Sequence, residues 1–330
     1  MKSNSNSHNK LTAVSWQSIL EASSIGCVAY SRLTEAKEGV AHGVFDKAIN
    51  ILLAKGLVSL VPEIVERGPL NVTLRLPVGS QSMSSLGVRN GDTIKVKGFT
   101  MELGDRHIIS FDSARIYSPK QKFPLPMLAD DEIEANREVM RKTALQFGNM
   151  AGLGELLSSA SEMSRGTAKN LNLFCAFAHS RLFQLEQAFR SGQETAINEA
   201  IRELIGLGPG LTPSSDDMLS GLVLLCLLYA KNKGLERHAS ELVAKATIEE
   251  VHGRTTTLSE EYLKQAALGR GNEPVMRLCS AILTGRPEIV EQETRRVLAI
   301  GETSGTDTVL GIAFGVKFCM HEQSILEKEE

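Results

Sequence analysis

The sequence is poor in several things, and each shortage excludes something. Aromatic residues make up 5% of its 330 residues, with a single tryptophan. Stacking platforms for single-stranded nucleic acid are therefore disfavoured, and any core must be aliphatic. There is no basic excess: 36 Lys+Arg against 39 Asp+Glu gives a formal charge of 36 − 39 = −3. A large nucleic-acid footprint would need clustered positive charge, so nucleic acid is not an expected partner. Cysteine is sparse. Cys27, Cys175, Cys226, Cys279 and Cys319 are odd in number, widely spaced and form no CxxC pair. Neither a zinc site nor a disulfide framework is supported, and a reduced, cytoplasmic protein is the economical expectation.

Long hydrophobic runs are lacking as well. The N-terminus, MKSNSNSHNKL, is polar, and residues 1–20 read as a flexible leader rather than an address. The strongest apolar run, Met218 to Ala230, holds thirteen residues. That is too short for a bilayer, so a buried helix is expected there and no membrane partner.

What is present is a core-forming composition, 42% hydrophobic and 23% charged. From about residue 21 to 120 the chain favours strands and turns. NVTLRLPV, residues 71–78, alternates apolar and polar positions. In VRNGDTIKVKG, Asn90 and Gly91 signal a turn, and Ile94 and Val96 alternate with Lys95 and Lys97. Ile109 and Phe111 share one face of a further strand. A helix is expected near 46–55, from the spacing of Ile49, Leu52 and Leu53. Residues 118–126, SPKQKFPLP, carry three prolines and suit a crossing between domains. After it the period turns helical, with helices expected at 131–147, 168–190, 194–205, 215–231, 235–249, 258–268, 274–284, 287–299 and 306–320. The expected fold class is α+β: a small N-terminal β-barrel-like or curled-sheet domain, 21–120, followed by a larger all-α domain, 121–325.

The most informative segment is GLGPGLTPSSDDMLSG, Gly206 to Gly221. Gly206, Gly208 and Gly210 permit positive φ or close backbone approach. Thr212 reads as an N-cap and Pro213 as the first helical residue. Ser214, Ser215, Asp216 and Asp217 fill the first turn. The grammar returns 91 residues later in GETSGTDTVL, where Gly210 matches Gly301, Thr212 matches Thr303, Asp216 matches Asp307 and Leu219 matches Leu310. Ser304 and Gly305 complete that second turn. An internal duplication of helical hairpins is one reading; two ordinary N-caps are the other. A helix start with free N–H groups is an anion site in principle, and two facing starts would cradle a phosphate or carboxylate. The acids would repel an anion unless they hold Mg²⁺, accept amide N–H groups or cap the helix. The segment is neither a Walker loop, for want of the lysine, nor a dinucleotide fingerprint, for want of a preceding strand.

In HGRTTTLS, Arg254 can clamp a phosphate or carboxylate, Thr255 and Thr256 supply hydroxyls ahead of a helix, and His252 can move a proton. The plainer reading is a capped inter-helix loop with a surface histidine. His42, in AHGVFDKAIN, is a ligand candidate against a simple turn histidine. Cys175 and His179 read as core, His107 as a surface residue at a strand start, and Glu155 as a helix cap.

GLGPGLTPSSDD, the TTTLS run and GETSGTDTVLG, in that order, resemble a bacterial family linked to the AllH subunit of oxamate carbamoyltransferase. The likeness runs from about Val40, in AHGVFDKAINI, to about Gly315. The family pattern carries Gly where this chain has Ser215. The resemblance implies purine or allantoin nitrogen catabolism, and carbamoyl transfer between oxamate-type amides and phosphate, yielding carbamoyl phosphate. It implies partner subunits and a small anionic or amide substrate. The residues themselves fit that chemistry, with Asp216, Asp217, His252 and Arg254 expected in catalytic roles and the glycines and hydroxyls in binding. No cofactor is specified; Mg²⁺ is the ion the acids would suit. Two other classes compete: a non-catalytic assembly or metabolite-binding subunit, and a metal-dependent hydrolase built on Asp216, Asp217 and Asp307.

Overall fold

The computed structural model describes residues 18–76, 82–103, 107–119, 126–158, 171–234 and 239–329, with no account of side chains beyond residue 320. The expected leader lies mostly outside the described residues, as does most of the proline-rich crossing. The chain divides between Tyr117 and Ser118 into two compact units.

The first unit is a barrel. Its strands are β1 (Ser18–Gly26), β2 (Glu38–Val44), β3 (Ile49–Leu53), β4 (Gly56–Pro62), β5 (Asn71–Leu74), β6 (Thr93–Lys97), β7 (Thr100–Leu103), β8 (His107–Ser110) and β9 (Arg115–Tyr117), with one helix, α1 (Cys27–Glu35). The order β5-β4-β3-β2-β6-β7-β8-β1 closes on itself because β1 also pairs with β5. Closure removes the exposed edges that eight short strands would otherwise present. A bulge between Ala22 and Ser24 turns β1 as it leaves β8 for β9. The interior is aliphatic, from Ile49, Ile51, Val58, Leu60, Ile94 and Ile109 among others. The N-terminal barrel expectation is met.

Two expectations in this unit fail for identifiable reasons. The helix near 46–55 is strand β3. Ile49, Ile51 and Leu53 are buried at period two, and the turn before Gly56, at φ +116°, folds β3 back onto β4. Ile49, Leu52 and Leu53 also fit helical spacing, but Leu52 is the exposed residue of the strand. His107 begins β8 as expected, yet it is buried, with Nε2 3.1 Å from the Leu86 carbonyl oxygen.

The second unit is helical: α2 (Asp130–Phe147), α3 (Leu173–Ser191), α4 (Glu194–Leu204), α5 (Ser214–Lys233), α6 (Ala239–Glu250), α7 (Thr257–Ala267), α8 (Glu273–Thr284), α9 (Pro287–Leu298) and α10 (Ser304–Glu329). Helix α5 is buried on nearly every side, which is why Met218 to Ala230 shows almost no polar stripe. No helix among the described residues is long and apolar enough to cross a membrane.

Helices α5 and α10 run side by side in the same direction. A Cβ added at Gly221 would run into the Thr308 carbonyl oxygen, and one at Gly311 into that of Met218. Farther along, the Cys226 thiol lies 3.9 Å from the Gly315 carbonyl oxygen. The absence of side chains at Gly221 and Gly311 lets the two backbones touch. These contacts are reciprocal: 221 meets 308 and 311 meets 218. The relation is a shift of 90, one residue less than the motif alignment suggests. At that shift Ser214, Asp217 and Gly221 stand opposite Ser304, Asp307 and Gly311. Their spacing of three and four places all three on one helix face. The pair behaves as a local two-fold whose axis follows the helices.

Candidate functional site

The starts of α5 and α10 meet at one end of this pair. Thr212 Oγ1 and Ser304 Oγ lie 3.2 Å apart. Pro213, rather than Thr212, takes the N-cap position, and Ser214 is the first helical residue. Thr212 is thereby freed to reach across to the other helix.

The glycine run before α5 is held from three sides. Gly206 (φ +82°) and Gly208 (φ +120°) adopt backbone conformations that side chains resist. A Cβ at Gly206 would strike the Arg254 carbonyl oxygen, and one at Gly208 would crowd the Ser214 N–H. Asp216, 1% exposed, is the clamp. Its carboxylate accepts the Gly206 N–H at 2.7 Å, the Ser259 hydroxyl at 2.6 Å and the Thr255 hydroxyl. Burial pushes the Asp216 carboxyl above its usual range, against the pull of those donors. Ser215 Oγ accepts the Leu207 N–H at 2.9 Å, and its hydroxyl lies 2.5 Å from the Leu204 carbonyl oxygen. Serine is unstrained there because the residue is helical. Thr256 caps α7 through the Ser259 N–H and donates to the Leu211 carbonyl.

The start of α10 is held in a related way. Thr306 Oγ1 accepts the Asn149 N–H at 2.9 Å, and Asp307 Oδ1 accepts the Leu153 N–H at 2.7 Å. The loop between α2 and α3 lies directly on Asp307, since a Cβ at Gly152 would press on both carboxylate oxygens.

Asp217 and Asp307 differ from Asp216. Each keeps one buried oxygen, Oδ2, with no hydrogen-bond partner. Burial drives Asp217 up to about 8; the Ser304 and Thr212 hydroxyls favour its charge, and the neighbouring Asp307 and Asp216 oppose it. Burial likewise moves Asp307 up to about 6, against the Leu153 N–H and the Ser214 and Thr303 hydroxyls. The cross-helix influences are again reciprocal: Ser304 acts on Asp217, and Ser214 on Asp307. Two parallel helix starts contribute about one elementary positive charge in sum, which offsets the cost of keeping acids there. At neutral pH Asp217 is largely an uncharged acid. That removes the repulsion two carboxylates would direct at an anion.

The structure therefore assembles Gly206, Gly208, Thr212, Ser214, Ser215, Asp216, Asp217, Thr255, Thr256, Thr303, Ser304 and Asp307 around two helix starts. Gly210 (φ +96°) stands open, and Gly305 is buried where a Cβ would strike the Val297 carbonyl oxygen. The catalytic candidates His252 and Arg254 point their side chains elsewhere. His252, with its side chain 88% exposed, pairs with Glu260 at 3.1 Å, while Arg254 Nε lies 3.6 Å from Glu250. His42 is exposed on β2 of the barrel unit. Sequence reasoning missed Ser259, Gly152 and Leu153, and matched Thr306 to the first motif without counting it as a site residue. Ser259 stood in the quoted TTTLS run; the GNMAGLG turn ahead of Glu155 was the signal for Gly152 and Leu153. Glu155 accepts the Asn172 N–H at 2.7 Å, beside the start of α3. Cys175 and His179 are core residues on α3, and burial pushes the Cys175 thiol up to about 11.

No group of three or more His, Cys, Asp or Glu among the described residues is arranged to hold a metal ion. Asp216 does not fit Mg²⁺, because its oxygens are engaged by N–H and O–H donors.

A closed barrel followed by a helical unit with paired, acid-bearing helix starts is thus the class of molecule in hand. A family model for the AllH family N-terminal domain matches residues 21–116, and one for oxamate carbamoyltransferase subunit AllH matches residues 204–316, the stretch that carries both helix starts. The chain belongs to the AllH family. No solved structure matches it.

Proposed function

We propose that this chain is a subunit of an oxamate carbamoyltransferase-type complex of purine or allantoin nitrogen catabolism, working with partner subunits in the cytoplasm. Its own contribution is a small-molecule site at the starts of α5 and α10, for carbamoyl phosphate or oxamate. The observation that carries this reading is the reciprocal pair of helix starts, with Thr212 and Ser304 in contact and two acids, each with a buried, unpartnered oxygen, behind them. Hydroxyls and oriented backbone dipoles in a water-poor setting are suited to a polarised carbonyl whose charge changes during group transfer. A scaffold alone has no need of unpartnered buried carboxyl oxygens, each of which costs free energy. In this reading Asp216 holds the glycine loop in shape. Arg254, through its peptide carbonyl, and Thr255 and Thr256, through their hydroxyls, brace it.

A second reading, a non-catalytic assembly or metabolite-binding subunit, is favoured by one observation. The side chains of His252 and Arg254 are tied to Glu260 and Glu250, so the proton carrier and the cation of the sequence reading do not face the acids. Thermal shift of the full chain with phosphate, carbamoyl phosphate, oxamate and Mg²⁺ separates the two. A ligand at 100 times its Kd stabilises by about 2.7 kcal/mol. Stabilisation by oxamate or carbamoyl phosphate supports the site. Silence with all four ligands, from a chain that still restores carbamoyltransferase activity to its partners, supports assembly alone.

A further inference from the structure

We propose, resting on the site reading above, that the α5–α10 start grips its ligand by a primary amide, H₂N–C(=O)–, with Asp307 and Asp217 as the residues that specify it. Asp307 is 0% exposed and carries an oxygen, Oδ2, without a hydrogen-bond partner; Asp217 Oδ2, at the facing position, is buried and unpartnered too. Asp307 Oδ2 is one buried acceptor, and the neutral Asp217 carboxyl supplies a second through Oδ2 with its proton on Oδ1. Two such acceptors call for a group with two donors, and an NH₂ group is the smallest that qualifies. Asp216 does not share this role, because its oxygens already accept Gly206, Thr255 and Ser259.

The same geometry is poorly suited to gripping a phosphate or carboxylate end. The groups acting on Asp217 and Asp307 are hydroxyls, one backbone N–H and neighbouring acids, with no Lys, Arg or His among them. Two of the first-turn N–H groups are also committed, Ser215 to the Leu207 carbonyl and Gly305 to that of Ile300, each at 3.0 Å. What remains, helix dipoles and the Thr212 and Ser304 hydroxyls, matches a carbonyl oxygen. Oxamate and carbamoyl phosphate differ at their anionic ends and share the fragment H₂N–C(=O)–. A site reading that fragment accepts both.

Calorimetric titration of the full chain at neutral pH tests this with two matched pairs: oxamate against oxalate, and carbamoyl phosphate against acetyl phosphate. The amide member of each pair is expected to bind at least tenfold tighter, the loss associated with unmet buried hydrogen bonds. Asp307→Asn can still accept the Leu153 N–H while presenting NH₂ in place of Oδ2, so it is expected to erase or invert the preference. Asp217→Asn is the second variant, should circular dichroism show that Asp307→Asn does not fold, and is expected to narrow the preference. Oxalate and acetyl phosphate binding as tightly as their amide counterparts would overturn the proposal and leave the site reading intact, as would a preference unchanged in the folded variants. Failure of all four ligands to bind would remove both.

Discussion

Replacing Asp217 by Asn keeps the shape of the side chain and deletes its titration, and the consequence can be worked out with its sign. Burial raises the folded-state value to about 8 from an ordinary 3.8. Between those limits the folded chain holds a proton that the unfolded chain has released. Raising the pH therefore favours unfolding. The residue's contribution is fully present below about pH 4, is lost progressively toward pH 8, and is flat above it. Inside the window each pH unit is worth about 1.4 kcal/mol, a factor of ten in the folding equilibrium. Across the window this amounts to on the order of 5 kcal/mol, an upper bound, because Asp217 as a whole keeps some solvent contact although Oδ2 has none. Asn has no such dependence. Urea unfolding of both proteins, followed by far-ultraviolet circular dichroism from about pH 5 to 9, reads the difference. The stability of the natural chain minus that of D217N is expected to fall steadily from pH 5 to 8 and then level off. Parallel curves across that range would refute the claim that this acid is held neutral.

Five further substitutions probe the helix pair and the loops around it. Gly311→Ala and Gly221→Ala each place a methyl group against a carbonyl of the opposite helix, so each should lower stability by about 1–3 kcal/mol or more, measured as a fall in urea midpoint. Asp216→Ala strands the Gly206 N–H and the Ser259 and Thr255 hydroxyls, and a loss of about 3 kcal/mol or more is expected, with faster proteolysis in the glycine loop. His252→Ala should shift stability by less than about 0.5 kcal/mol, since the side chain is almost wholly in solvent. Ser215→Gly removes the tie to Leu207 and Leu204 and should cost about 1–2 kcal/mol without abolishing ligand-induced thermal shift.

The helices were legible because long amphipathic or uniformly apolar segments with capping residues have few alternatives. The positions expected for α4, α7, α8 and α9 agree with those observed to within a residue or two. Barrel elements were harder. Ile49 to Leu53 fits both periods, and only pairing with β4 decides for the strand. The sequence offered no reading for α1, whose Gly26 start carries no side-chain cap. Within the site, hydroxyls and acids at two helix starts were visible as types, but their division of labour was not. Asp216 and Asp217 are neighbours in the chain and opposites in role, because one faces the glycine loop and the other the facing helix. The one-residue change in register has the same origin. Matching letters favoured 91, whereas the backbone contacts of Gly221 and Gly311 require 90.

If the paired helix starts form a substrate site rather than a cap, turnover depends on the acid behind them. The most direct measurement is carbamoyl phosphate formation by this chain reconstituted with its partner subunits, natural against Asp307→Asn, with assembly followed in parallel by size-exclusion chromatography. A fall in rate of at least tenfold with the complex intact is the predicted result. An Asp307→Asn chain that assembles and turns over at the natural rate would contradict it.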